Sequence, residues 1–338
     1  MKIPEPMNSI AALIDAYHES KQEKPRPHLG CSLLGHKCDR WIWLSFRHAV
    51  VEKFPGRILR LFRRGHNEEA QIINDLRAIG VDVRSTQRRV DFGCHISGSL
   101  DAIIERGLPE APKARHVAEF KTHSKKSFED LLKHGVEKSK PQHWVQMHLY
   151  AHGTGIARIL YYAVEKDSDR IYTERVTYDK EVAQKAIERG QRIAMAERMP
   201  EPMPNAGRDW FECKFCPAHA FCWKDEPTKE VNCRTCAHAT PLKNSTWRCE
   251  RHEADGIPTD FQYKGCDDHV IHPDLVPWKA TGSDDGHSVT FDISGQAVTN
   301  GNGQGMYKSR EILVNPEACG SSMVEAAKAA FPDAEVVG

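Results

Sequence analysis

Three charged residues stand where the surrounding pattern asks for buried β-strand: Asp101 in "GSLDAIIE", and Glu119 and Lys121 in "HVAEFKT". Residues two apart on a strand share a face, so Glu119 and Lys121 point to one side of any sheet that holds them. With the Asp101 segment alongside, two carboxylates and an ammonium meet at one edge. Such carboxylates suit one or two Mg²⁺ or Mn²⁺ ions, which take oxygen ligands and keep waters for chemistry. A water held this way attacks a phosphodiester, and Lys121 can assist the water or the charged phosphate. An E-x-K triplet is also the pattern of an ordinary surface ion pair, so its meaning depends on its company.

Part of that company is basic. Residues 53 to 64, "KFPGRILRLFRR", hold Lys53, Arg57, Arg60, Arg63 and Arg64 and no acid. Arginines three or four apart on a helix lie on one face, which suits a nucleic-acid backbone; a solvated helix face is the alternative. The chain's zero net charge hides an uneven split, with 25 Lys and Arg against 18 Asp and Glu up to residue 140 and 22 against 29 beyond it.

Eleven cysteines need a reason as well. Without a secretion signal disulfides are disfavoured, and paired cysteines point to metal. One CxxC is Cys213 and Cys216, with Cys222 following; the other is Cys233 and Cys236, followed by Cys249 and Cys266. The second group reads as a four-cysteine zinc knuckle in which His238, His252, His269 or His272 could replace a thiolate. Its stretch has too few aliphatic residues to fold unstapled.

The elements that must position these residues follow from periodicity and breakers. Helices are expected over 8–20, after Cys38, over 57–79 up to Gly80, over 127–138 and 141–152, and from Asp179 to Arg198. Residues 82–105 read as a β-hairpin or meander, and strands are expected over 115–122, 156–165 and 170–178. Pro200, Pro202 and Pro204 close this region. Beyond Pro277, residues 287–314 read as short strands with Gly and Asn turns, "GNGQG" as a turn, and 321–332 as a closing helix. No apolar run reaches the ~20 residues of a membrane span, and the N-terminus lacks a secretory core, so a cytoplasmic protein without membrane contact is expected. No flavin or nicotinamide fingerprint supports a redox enzyme.

The order of these features resembles the RecB-like branch of the PD-(D/E)XK nuclease superfamily. Gly65 precedes His66, Glu68 and Glu69 on a helix, Asp101 stands in "SLDA", Glu119 and Lys121 in "EFKT", and Gln146 and Tyr150 in "QMHLYA". Leu100 stands where the superfamily's name would put proline. The resemblance implies an α/β (α+β) restriction-endonuclease-like core, a mixed central sheet flanked by helices, over about residues 38–225. It implies an Mg²⁺- or Mn²⁺-dependent DNA exonuclease in which Glu69, His66, Asp101 and Glu119 hold metal, Lys121 is catalytic, and Gln146 and Tyr150 position a phosphate or the lysine. Some members carry one cysteine before the core and three after it that share a 4Fe-4S cluster; here these would be Cys38, Cys213, Cys216 and Cys222, with Cys31 a rival for Cys38 and zinc an alternative filling. The expected division is a nuclease domain over 1–225, a cysteine-rich metal module over 226–278 and a small α+β module over 279–338. A helicase or a single-strand annealing protein is an expected partner, because no helicase motif is present. A fold that binds nucleic acid without cutting it is the rival class, and an endonuclease of the same fold is the other alternative.

Overall fold

In the computed structural model, which describes residues 9–284, 286–331 and 334–337, the chain divides into two units, with the divisions at 36/37, 51/52 and 191/192. Up to the last division the elements run α1 (Ile10–Ser20), β1 (Leu29–Gly30), α2 (Cys31–Leu34), α3 (Asp39–Phe46), α4 (Gly56–Ala78), β2 (Asp82–Arg84), β3 (Arg89–Asp91), β4 (Ile96–Ser99), β5 (Ala102–Arg106), β6 (His116–His123), α5 (Lys125–Ser139), α6 (Pro141–Thr154), β7 (Arg158–Glu165), β8 (Ile171–Thr177) and α7 (Lys180–Ala194).

The first unit is built on a five-stranded sheet in the order β2-β5-β6-β7-β8. Strands β6 and β7 are parallel and the other pairs antiparallel. A parallel pair needs a long crossover, which here is the α5–α6 hairpin. Ile72, Ile73 and Leu76 of α4 cover one face against Val83, Ile104, Phe120 and Tyr162. Phe128, Leu131, Met147 and Ala151 of α5 and α6 cover the other against Ile159, Tyr161 and Ala163. The mixed sheet flanked by helices is the α/β architecture the sequence implies.

Two local expectations change. The 82–105 stretch is not one meander: β2 joins the main sheet, whereas β3 and β4 form a hairpin that pairs with β1 in a separate sheet ordered β1-β4-β3. Left-handed Ser85 and Gln87 (φ 49° and 56°) make the break between the two sheets. The helix expected from Asp179 to Arg198 stops at Ala194, because the following chain turns its groups to other partners. The Ala196 carbonyl accepts the Trp43 indole N–H at 2.9 Å, and Arg198 pairs bidentately with Asp274.

The second unit packs α3 by Trp41, Ile42, Trp43, Leu44 and Phe46, all buried. It carries two three-stranded sheets: β9 (Ala239–Pro241), β10 (Trp247–Cys249) and β11 (Ala254–Asp255), and β12 (Lys279–Gly282), β13 (Val289–Ile293) and β14 (Gln296–Asn300). "GNGQG" is a turn, but "SREILV" is a helix, Ser309–Val314, and not a strand. Glu311 fixes it, accepting the Lys308 N–H at 2.7 Å and pairing with Lys328 at 2.8 Å. The expected terminal helices appear as Ile10–Ser20 and Ser322–Ala330, while Asn8 and Pro332 lie outside the described residues. Among the described residues no helix is long and apolar enough to cross a membrane.

Candidate active site

Strand register explains how the three opening charges meet. Ala102 of β5 pairs with Ala118 of β6, so Asp101, one residue before β5, comes opposite Glu119. The Asp101 carboxylate accepts the Phe120 N–H at 2.7 Å and lies 3.9 Å from the Lys121 ammonium. Lys121 bridges to Glu119, two residues away on the same face.

A cavity of about 600 Å³ opens at this edge. Lys121, Asp101, Glu69, His66, Gln146 and Tyr150 all line it, so six residues chosen from sequence share one space. Glu119 does not: it is 0% exposed and bridged to the lining Lys121. Burial raises its pKa despite the neighbouring ammonium, and Asp101 pushes the same way. Burial opposes the charge on Lys121, but Glu119 and Asp101 outweigh that and raise its pKa.

Several neighbours had no sequence signal. Gln87, in the left-handed break before β3, donates its side-chain amide to Glu69 at 2.8 Å and its backbone N–H to the Asp101 carbonyl at 3.3 Å. It ties the acids of two elements together. Burial and the charge of Asp101 raise the pKa of Glu69, and this Gln87 bond lowers it. His143, on the cavity wall one turn before Gln146, heads a buried chain. Its Nδ1 meets the Tyr161 hydroxyl at 2.9 Å, that hydroxyl meets His123 Nε2 at 2.9 Å, and Ser127 meets His123 Nδ1 at 3.1 Å. The i, i+3 spacing of His143 and Gln146 was the one legible hint.

Gln146 and Tyr150 are joined directly, the amide donating to the hydroxyl at 3.2 Å. Their helix is seated by close contact: a Cβ on Gly98 would fall 2.8 Å from Cys31 Sγ and 3.1 Å from Tyr150 Cε1. The expected arginine row is less uniform than its spacing. Arg57, Arg63 and Arg64 are exposed, but Arg60 is half-buried and ion-paired with Asp15 of α1. None of the four lines the cavity; Arg26 does.

Among the described residues no three Cys, His, Asp or Glu side chains stand close enough to form a finished metal cage. Whether the carboxylates fit a cation is answered by Glu119, whose Oε2 is buried without a hydrogen-bond partner. An unpaired buried carboxylate oxygen is costly, and a divalent cation would satisfy it. The donor set of Glu69, Asp101 and Glu119, all oxygen, fits Mg²⁺ or Mn²⁺.

A profile described as the PD-(D/E)XK nuclease superfamily matches residues 12–223, well over half the chain. The chain belongs to the PD-(D/E)XK nuclease superfamily. Solved structures similar to this PD-(D/E)XK protein include the protein SSO0001, at 15% identity and TM-score 0.42, covering 64% of this chain and 98% of that one. An alkaline exonuclease from Laribacter hongkongensis is similar at 14% identity and TM-score 0.37, covering 53% and 90% of the two chains. A phage related exonuclease from Haemophilus somnus 129PT is similar at 16% identity and TM-score 0.31, covering 52% and 96%. Among curated proteins, no sequence match was found.

Two sets of cysteines gather within the second unit. Cys38, the residue just before α3, lies near Cys213, Cys216 and Cys222, and all four belong to the second unit. Burial pushes Cys216 up to about 11, and the other three thiols push it the same way. Cys31 instead is buried in the first unit against Gly98, and burial pushes it up to about 12.

Proposed function

We propose that this PD-(D/E)XK protein is an Mg²⁺- or Mn²⁺-dependent deoxyribonuclease, an exonuclease that hydrolyses phosphodiester bonds in phage-type recombination, replication or repair. The observation that carries the reading is the orphaned Glu119 Oε2 behind Lys121 and Asp101, at the side of a cavity large enough for a nucleotide phosphate. The exonuclease reading rests on the RecB-like order of the motifs, from Gly65 through Glu69, Asp101, Glu119 and Lys121 to Gln146 and Tyr150.

Glu69, Asp101 and Glu119, with His66 beside them, would hold the metal. Bound there, it would supply charge for the phosphate and acidity for a water. Lys121, which lines the cavity and bridges to Glu119, is placed to meet a phosphate there. Gln87 holds Glu69 in place, and the Gln146–Tyr150 pair offers an amide and a hydroxyl to a phosphate oxygen. Arg57, Arg63 and Arg64 lie on the outer helix as contacts for the DNA backbone, with Arg60 turned inward to α1.

We further assign Cys38, Cys213, Cys216 and Cys222 to a 4Fe-4S staple. Their common unit and mutual proximity support it, and Arg40 bonded to Cys222 would offset thiolate charge. The reading keeps the division into a nuclease domain over 1–225, a metal module over 226–278 and a terminal module over 279–338. It also keeps a cytoplasmic setting with a helicase or an annealing protein as partner.

End-labelled single- and double-stranded DNA with Mg²⁺ or Mn²⁺ tests the reading. The wild type should release nucleotides, and Asp101→Asn, Glu119→Gln and Lys121→Ala should each lose at least ~100-fold in rate while keeping a cooperative melt. Full activity in Glu119→Gln, or none in the metal-supplied wild type, rejects it.

A further inference from the structure

The second cysteine group belongs to the second unit and none of its members lines the cavity that holds Asp101 and Lys121. Cys233 opens a short 3₁₀ turn and Cys236 follows it, Cys249 ends β10, and Cys266 comes after the Thr259–Gln262 turn. Distant in sequence, all four line one cavity of about 20 Å³, which has room for a single small ion and little else.

The backbone around these sulfurs is arranged for thiolates. Cys236 Sγ accepts the Val270 N–H at 3.5 Å and a second backbone N–H from His238, two residues on. Cys266 receives the N–H of Asp268, again two residues on. Amide N–H groups aimed at sulfur stabilise the negative charge of a thiolate there. The Cys233 thiol meanwhile lies 3.3 Å from the carbonyls of Phe261 and Lys264.

The structure also sorts the rival histidines. His269 is engaged at both ring nitrogens, by Ser309 at 2.7 Å and by Thr235 and Asn232 at 3.1 Å. His272 is engaged at both, by Glu197 and by the Asp274 N–H. His252 faces Asp268 at 3.5 Å. His238 is buried on the cavity wall, and its Nε2 has no hydrogen-bond partner.

We propose that Cys233, Cys236, Cys249 and Cys266 bind one structural Zn²⁺, with His238 beside the thiolates as a hydrogen-bond donor and not as a ligand. Four thiols and Zn²⁺ give a tetrathiolate zinc centre of charge −2 and release four protons to the buffer. Because the side chains do not form a finished cage, the ion draws the sulfurs together as it binds. Arg251, also on the wall, faces the resulting negative charge. Softness of the donors selects zinc over Mg²⁺ and Mn²⁺, so the two metal sites do not compete for the same ion. The segment it closes has only two- and three-residue strands, a scaffold that a metal crosslink stabilises most.

The test is metal analysis of the full-length protein purified from zinc-supplemented cells, with Co²⁺ as a spectroscopic probe added to protein stripped of metal. The wild type should hold about one zinc at this site and give the intense visible bands of tetrahedral Co²⁺–thiolate. Cys249→Ser and Cys266→Ser should each lose that zinc and the Co²⁺ bands, whereas His238→Ala and His269→Ala should keep both. Zinc unchanged in both cysteine variants overturns the proposal, as does wild-type protein that takes up neither metal. Iron lost from Cys249→Ser in place of zinc overturns the metal assignment. Should a cysteine variant fail to fold, Co²⁺ titration of Cys213→Ser protein decides, because of the two four-cysteine groups only this one is then intact. Loss of Asp101 leaves every readout untouched, so failure here and failure of the nuclease reading are separate results.

Discussion

Lys121 is the residue on which the active site turns. It bridges to Glu119 and lies 3.9 Å from Asp101, so its ammonium offsets the burial that raises the pKa of Glu119. The E-x-K spacing made this contact legible, because a strand puts alternate residues together. Gln87 and the Tyr161–His123 part of the chain were not legible, since their roles come from a left-handed break and from register across β6 and β7, where Tyr161 pairs with Glu119. Removing the Tyr161 hydroxyl leaves the buried His123 and the half-buried His143 without their shared partner. Tyr161→Phe should therefore lower stability by about 1–3 kcal/mol. If His143 acts only through packing, His143→Phe will match wild type in rate. The geometry predicts instead a rate loss of about 10-fold with unchanged DNA affinity, because His143 borders the cavity next to Lys121. Single-turnover cleavage against binding titration separates the two.

At the scale of elements, α4 carries two kinds of work on one helix. Its apolar side packs on the sheet through Ile72, Ile73 and Leu76, and its arginine-rich first half faces outward. Spacing alone could not say which arginines are committed, because the partner of Arg60 is Asp15, 45 residues earlier on another helix. The same limit misled the reading of 82–105: alternation marks strands but not the sheet each joins, and positive φ at Ser85 and Gln87 redirects the chain. The arginines should separate by assay. Arg63→Ala and Arg64→Ala should weaken DNA binding uniformly across sequences and reduce the salt slope of log K by about 1 each. Arg60→Ala should leave the slope near wild type and instead lower the melting temperature by loosening α1 from α4. Equal salt slopes in all three variants would dismiss the division.

For the molecule as a whole, the buried histidines set how it meets acid. Composition gives 18 histidines but not which are enclosed; the fold encloses many. Burial pushes His123 down to about 4, His143 to about 3 and His269 to about 4, and it also lowers His116, His148, His238 and His272. The sign follows from proton counting. Between about 6.5, where an unfolded histidine titrates, and these depressed values, the unfolded chain holds protons the native one refuses, so falling pH draws the protein toward unfolding. Glu52, Glu69 and Glu119 act oppositely, because raised carboxyls take protons in the native state first. Seven histidines stand against three carboxyls, and each histidine contributes up to about 1.4 kcal/mol per pH unit, so the histidines win. Denaturant midpoints should fall steadily from pH 7.5 to 5, and His123→Asn should flatten the decline because it removes one of the buried imidazoles. A midpoint that stays level or rises over that range would mean that the native state admits these protons, and that the carboxyls at the active site control its acid response.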